Sequence, residues 1–542
     1  MNCRSEGSST AYNSACRCTS EDMRSGCQRT SFWQYRATTT ERHYNTGQLT
    51  TFDMLPNDVL PNDVLLKIFD FHLENNMDED VVEKRRIEEW ITLAHVCRRW
   101  RSVVFYSPRR LNLRLVCTPE TARDTLDNWP PLPLIVRDGY RKGTSDMAPV
   151  DNSIAALEHN DRVRQIDLGG DSLYSGSQLA FLANSVAMQK PFPELIHLRL
   201  YGPRVRSIPD TFLGGTAPRL QSLELSAIRF PGLPKLLLSA THLIHLDLDI
   251  TYNYIPPEAL ATGLSALTNL ESLRIRVLPY LLALLFPKLE SQRPPPPLTR
   301  TILPSLTKIE FDRSGQYVEE ILARIDAPQL NKMHITYLHD REYETTFDTP
   351  QLFQLISRSP ALMAPEKCLI IFDSEAIVFK FLSRTFDCGE LIVEILCAVG
   401  SEEWEYYSVE QNWFLSLPPV PALKDLYIFE DRVHPPEWQD DDRLRLDFYF
   451  LGSFIAVKNL FLSEEAVTRI APALQQLVGG GFGLAEVFPI LENIFLEGFH
   501  PSGSLHEDME KLVAARRLTS QPVTVSLWDE DSIQEEERQL EI

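Results

Sequence analysis

At 542 residues, with 44% hydrophobic and 10% aromatic content, the chain carries ample material for a folded core, which excludes a disordered scaffold. Acidic residues outnumber basic ones by 75 to 53, a net charge of −22, and no segregated basic patch offsets them, so nucleic acid and anionic membrane are poor partners. The longest apolar run, Leu278 to Phe286, is far too short to span a bilayer, and the expectation is a soluble protein of the cytoplasm, the nucleus or both.

From the start of the chain to residue 54 there is no sustained periodicity and no apolar core of a secretory signal, so this stretch is expected to be a disordered tail. Four of the nine cysteines (Cys3, Cys16, Cys18 and Cys27) fall in it. No pair in the chain has the CxxC spacing of a zinc site, and free thiols with neither metal nor cofactor are expected.

Residues 55–113 form the next unit. The tandem LPNDV-LPNDV places Leu55 to Val59 ahead of an identical Leu60 to Val64, and the second copy runs in register into Leu65, Ile68 and Phe69. Helical spacing predicts one amphipathic helix over Leu60 to Phe71 and another over Trp90 to Val104, where Trp90, Leu93, Ala94, Cys97, Trp100 and Val104 recur. A charged insert, Glu74 to Glu89, separates them. A pair this small buries too little surface to stand alone, so its stripe must be covered, either by a partner or by the domain behind it.

Leu60-Pro61, Val64 and Ile68 at one end, and Val96-Cys97-Arg98-Arg99-Trp100-Arg101 at the other, resemble the F-box, the adaptor-binding module of cullin-type ubiquitin ligases. The long charged insert departs from a compact F-box. The resemblance implies that Leu60, Pro61, Val64, Ile68, Phe69, Val96, Cys97 and Trp100 contact a Skp-type adaptor, and through it a cullin complex. The competing reading is a helical cap on the repeats that follow.

Residues 114–528 carry an internal repeat. The pattern LxxLxL occurs as Val163-Ile166-Leu168, Leu195-Leu198-Leu200, Leu220-Leu223-Leu225, Leu243-Leu246-Leu248 and Leu270-Leu273-Ile275. It continues as Leu306-Ile309-Phe311, Leu330-Met333-Ile335, Leu423-Leu426-Ile428, Val457-Leu460-Leu462 and Leu491-Ile494-Leu496. Most copies follow a Pro or a small polar residue, as in FPELIHLRL and LPSLTKIEF, which punctuates an incoming helix. Starts fall 25 residues apart from Leu195 to Leu220 and 23 from Leu220 to Leu243, with other steps up to 36, from Leu270 to Leu306.

These residues resemble leucine-rich repeats. The fold class expected is α/β: an irregular leucine-rich-repeat solenoid, a curved parallel sheet with convex helices, preceded by a small all-α F-box. Between residues 340 and 420 the pattern blurs. Cys368 to Asp373 and Leu391 to Val399 read as degenerate repeats, and Trp404 to Phe414 as an insertion. Pro294 to Pro297 reads as a stiff surface loop or a proline-rich ligand.

Alternation along each strand sends the residues between the leucines to the concave face. Its first half is polar and mixed in sign: His197, Arg199, Tyr201, Ser222, Glu224, His245, Asp247, Asp249, Ser272, Arg274, Arg276, Lys308, Glu310 and Asp312. Its last part aligns aromatics, with Tyr427, Phe429, Phe461 and Phe495 as candidate target-binding residues. Two readings compete there: an open patch, or rings covered by the Trp404–Phe414 insertion or by the segment around Trp528.

No GxSxG, HExxH or GxxxxGK[ST] motif is present, Gly479 to Gly483 follows a helical pattern without the strand and Lys of a phosphate loop, and no catalytic residue is assigned. Residues 529–542 form an acidic tail. The expected function is a non-catalytic substrate receptor of a ubiquitin ligase, and the alternative is a repeat scaffold with no ligase link.

Overall fold

The computed structural model describes residues 60–74, 92–106, 114–117, 131–137, 148–169, 175–202, 207–251, 253–277, 299–314, 316–339, 350–362, 365–373, 376–382, 389–397, 422–430, 454–463, 465–467, 488–497 and 522–528, together with residues 123, 126, 127, 451, 510, 513, 514 and 517. The N-terminal and acidic tails, the insert from residue 75 to Trp90, the proline run, the Trp404–Phe414 stretch and the glycine cluster lie outside the described residues. The chain divides into two units, Met1–Pro61 and Asn62–Ile542.

The second unit is mixed α/β and opens on helices α1 (Asn62–Glu74) and α2 (Arg98–Tyr106). Strands β1 (Leu115–Cys117) and β2 (Leu134–Arg137) come next, then α3 (Ala148–Glu158), β3 (Val163–Gly169), α4 (Ser175–Ala183), β4 (His197–Tyr201) and β5 (Ser222–Ser226). The alternation continues through α5 (Leu233–Ser239), β6 (His245–Asp249), α6 (Pro257–Leu264), β7 (Ser272–Arg276), β8 (Thr301–Ile302) and β9 (Lys308–Ser314). Then follow α7 (Gln316–Leu322), β10 (Ile325–Asp326), β11 (Lys332–His339), α8 (Pro350–Arg358), β12 (Lys367–Phe372), β13 (Ala376–Leu382) and β14 (Glu390–Cys397). The last strands are β15 (Asp425–Glu430), β16 (Asn459–Leu462), β17 (Asn493–Glu497) and β18 (Thr524–Trp528).

Sixteen of these strands make one open sheet, ordered β1-β2-β3-β4-β5-β6-β7-β9-β11-β14-β13-β12-β15-β16-β17-β18. All neighbours are parallel except β13, which runs against both of its partners. Each of the ten LxxLxL stretches supplies a strand, and every apolar position of the pattern is buried, Leu195, Leu198 and Leu200 being typical. These residues form a core on one side of the sheet because period-two alternation aims them all the same way. The registers keep that alternation in phase from strand to strand: Leu198 sits beside Leu223, Leu223 beside Leu246 and Leu246 beside Leu273.

The blurred region corrects the expectation of each strand lying beside its predecessor. Between β11 and β15 the order reverses, because β12, β13 and β14 form an antiparallel meander. Three residues, Asp373 to Glu375, separate β12 from β13, which suffices for a hairpin and is far too short for a parallel crossover. Ile377, Phe379 and Phe381 of β13 alternate into the core as a strand of either direction would. Strands β1, β2 and β18 also lie beyond the ten copies read from sequence.

One close approach is fixed by a glycine. Gly169 ends β3 at φ +115, and a Cβ there would stand 1.8 Å from the carbonyl oxygen of Tyr201 on β4. No L side chain fits that position without displacing the neighbouring strand.

Candidate functional site

Helix α1 has two apolar stripes. Leu65, Leu66 and Phe69 are buried, and Phe69 meets Trp100 of α2 with ring centroids 4.7 Å apart and planes tilted by 57°. Val64, Ile68 and Phe71 recur at i, i+4 and i+7 and form the second stripe. Ile68 is 44% exposed and Phe71 67%.

The predicted second helix is interrupted. Thr92 to Val96 are helical, Cys97 is not, and α2 starts at Arg98; Trp90 lies outside the described residues. Cys97 acts as the cap of α2, its Sγ accepting from the Trp100 N–H at 3.4 Å. Arg101 secures the break from the other side, since its Nε donates to the Ala94 carbonyl at 3.0 Å while its own N–H donates to the Cys97 carbonyl. Arg99 donates to Asn62 Oδ1 at 3.2 Å and so ties the start of α1 to α2. Leu93, Ala94, Val103 and Val104 are buried, whereas Val96, at the break, is 52% exposed.

The residues assigned to the adaptor surface therefore divide. Phe69 is fully buried and Trp100 largely packs against it, so these two hold the helices together instead of facing outward. Ile68, Val96 and, in the first unit, Pro61 are exposed, while Leu60, Val64 and Cys97 are half-buried. Sequence reading missed Phe71, although its place three residues after Ile68 on the same stripe was visible.

The face of the sheet opposite the core has two regions. Its polar region is laced by cross-strand pairs: Arg137 with Asp167 at 3.3 Å, Arg199 with Glu224 at 3.2 Å, Arg274 with Glu310 at 3.0 Å, and Arg276 with Asp247 at 2.9 Å. Arg199 and Glu224, like Arg274 and Glu310, are register partners, so opposite charges meet directly across the ladder. At β11 and β14, His334 lies 3.4 Å from Glu394, which also accepts from Thr336 at 3.1 Å. The proximity of His334, aided by the bond from Thr336, holds the Glu394 carboxyl below its usual range against the opposing effect of burial.

The second region is apolar. Tyr427 and Phe461 stack at 4.2 Å with planes 11° apart, and Phe461 and Phe495 at 4.5 Å and 9°. Tyr427 and Phe429 form a buried cluster with Leu369, against which Ile371, Leu382, Phe461 and Trp528 pack. Trp528 reaches back from β18 across β17, bringing its ring within 5.7 Å of Phe461, 5.9 Å of Phe429 and 6.4 Å of Tyr427, and its Nε1 donates to the Leu462 carbonyl at 3.3 Å. Tyr427 and Phe429 are thus covered rings, which corrects the open patch in favour of the segment around Trp528; Phe461 and Phe495 are half-buried.

On the same face, at the starts of these strands, runs a polar ladder. Asn459 Nδ2 donates to Asp425 Oδ1 at 2.7 Å, Asn493 Nδ2 to Asn459 Oδ1 at 2.8 Å, and the Thr524 hydroxyl to Asn493 Oδ1. Each rung pairs first residues of registered strands, so β15 to β18 are zipped by side chains as well as by backbone. Cys117 and Cys368 are buried, and burial pushes the Cys117 thiol up to about 11 despite the lowering influence of Arg162. Among the described residues no cluster of His, Cys, Asp and Glu could hold a metal ion, and no helix is long and apolar enough to cross a membrane.

Residues 57–114 match the family model described as F-box-like. The matched segment contains both α1 and α2, with the exposed stripe on the first and the Cys97 break before the second. F-box domains bind Skp-type adaptors and typically belong to non-catalytic receptors, so the segment points to adaptor binding in SCF-type complexes. The chain has no significant match among curated proteins.

Proposed function

We propose that the chain is the substrate receptor of an SCF-type ubiquitin ligase. Its helix pair binds the Skp-type adaptor and through it the cullin, and its sheet, read as an irregular leucine-rich-repeat solenoid, holds a target protein. The observation that carries this reading is the second stripe of α1. A helix whose one stripe already packs on Trp100 and whose other stripe presents Ile68 and Phe71 to solvent has apolar surface left to cover. Burying one such side chain fully is worth about 1.5–3 kcal/mol, so two or three of them supply much of the free energy of a micromolar contact.

The reading assigns no chemistry to this chain. Its contribution is proximity, because a tethered target meets the ubiquitin-charged enzyme at an effective concentration far above its free one. Repetition of parallel strands from β3 to β9, several of them followed by a helix, and a face studded with polar groups support a target-binding role for the sheet.

Co-purification with the Skp-type adaptor tests the proposal. Wild type is expected to retain the adaptor, and an Ile68→Asp, Val96→Asp variant to lose it while keeping its circular dichroism spectrum and melting temperature. Wild type that fails to retain the adaptor leaves the scaffold reading in its place.

A further inference from the structure

We propose that the aromatic region of the sheet is a socket for a tryptophan side chain presented on an extended peptide, and that β18 with Trp528 is its built-in occupant. This deepens the receptor reading by naming the kind of segment a target would offer, and it rests on that reading for its biological sense.

The socket is defined by what already sits in it. Its floor is Leu369, Ile371 and Tyr427, its walls are Phe429 and Phe461, and its polar rim is the Leu462 carbonyl. The indole of Trp528 meets the Tyr427 and Phe461 rings edge-on, at 74° and 85°, the arrangement that sets a positive ring edge against a negative ring face. Its N–H finds the one partner a phenylalanine could not use. The site therefore selects tryptophan by shape and by a hydrogen bond together.

Elsewhere the occupant has one further apolar anchor, Val523, which is buried just before the strand. Thr524, Val525, Ser526 and Leu527 are all exposed, Leu527 by 64%, so β18 is held by the ladder to β17, by the Thr524 rung and by the Trp528 plug. An end strand that buries so little apolar surface opens at lower cost than the strands inside the sheet. When it opens, β17 offers an unpaired backbone edge beside an empty aromatic pocket. An incoming strand takes both by β-addition, with its tryptophan in the seat of Trp528. Ser526, opposite Phe495 in the register, shows that a small residue two places before the tryptophan leaves room for the Phe461–Phe495 stack.

The probe is a fluorescein-labelled peptide copying residues 521–531, titrated by anisotropy against the full chain and its Trp528→Ala variant. The variant is expected to bind at least about tenfold tighter than wild type, because the wild-type affinity is reduced by the fraction of sockets that stand open. A peptide with its tryptophan replaced by alanine is expected to bind neither. Equal binding of the copied peptide to both chains, or equal binding of the alanine peptide, overturns the socket.

Should Trp528→Ala lose its cooperative melt, hydrogen exchange of wild type decides. Faster exchange of the Val525 to Leu527 amides than of Ile494 to Leu496 supports an exchangeable strand, and matched rates overturn it. Peptide binding without adaptor binding removes the receptor reading and leaves the socket. Adaptor binding without peptide binding does the reverse.

Discussion

Neighbouring residues of α1 have opposite duties. Phe69 is fully buried against Trp100, while Ile68 stands half in solvent one position earlier. Phe69→Ala removes a core ring and leaves a cavity, and should destabilise the helix pair by about 3–5 kcal/mol. Ile68→Asp alters a side chain that is 44% exposed and should cost no more than about 1 kcal/mol of stability while abolishing adaptor retention. Thermal melts of both variants, read beside adaptor co-purification, separate the two duties. If Ile68→Asp unfolds the pair, the exposed stripe is structural.

A second residue effect is electrostatic. The Glu394 carboxyl is held below its usual value of 4.5 by His334 first and Thr336 next, against the opposing effect of burial. A carboxyl whose folded pKa is depressed adds stability above its unfolded pKa, and that stability is lost as the pH falls through the folded value. The melting temperature of wild type should exceed that of Glu394→Gln at neutral pH, and the gap should close as the pH falls below about 4.5. A gap independent of pH would show that ionisation of Glu394 contributes nothing to folding.

At the scale of elements, parallel strands such as β15 to β17 are bound twice. Backbone bonds join them, and Asp425, Asn459, Asn493 and Thr524 run across them as a side-chain ladder. Asn459→Ala cuts the ladder in its middle, leaves the amide of Asn493 without its acceptor and takes one donor from the buried Asp425. A loss of about 1–3 kcal/mol is expected by denaturant titration, with Thr524→Ala, at the exposed end, costing less. Equal losses from the two would mean that burial along the ladder does not matter.

Elements also mark where sequence reading succeeded and failed. An apolar residue at the first, fourth and sixth places of the pattern aims into the core whatever its neighbours do, so the ten repeat strands could be placed from the chain alone. The partner of a strand is another matter, because β12 and β14 have the same apolar alternation as a parallel strand. Only the three residues after Phe372 show that the chain turns back. The Cys97 break was hidden for a similar reason: helical spacing continues through Cys97, while the sulfur that caps α2 and the Arg101 bond to Ala94 leave no trace in periodicity.

Across the whole molecule, the opposite face of the sheet changes from paired charges to stacked rings. That change was legible, since alternation alone lists the residues. What covers the rings was not, because Trp528 reaches its place by crossing β17, a movement set by side-chain length and by the Leu462 carbonyl. The ends of the helix pair were legible from Leu60-Pro61 and the VCRRWR stretch, but the inward turn of Phe69 and Trp100 needed the packing.

The molecule as a whole is read as two surfaces on one chain, a helix pair for the adaptor and a sheet face for a target. Amide hydrogen exchange of the full chain with and without the Skp-type adaptor tests that division most directly. Protection is expected to appear in α1, in Thr92 to Val96 and in α2, with the strands β3 to β18 unchanged. Absence of protection in the helices, or protection confined to the strands, would contradict it.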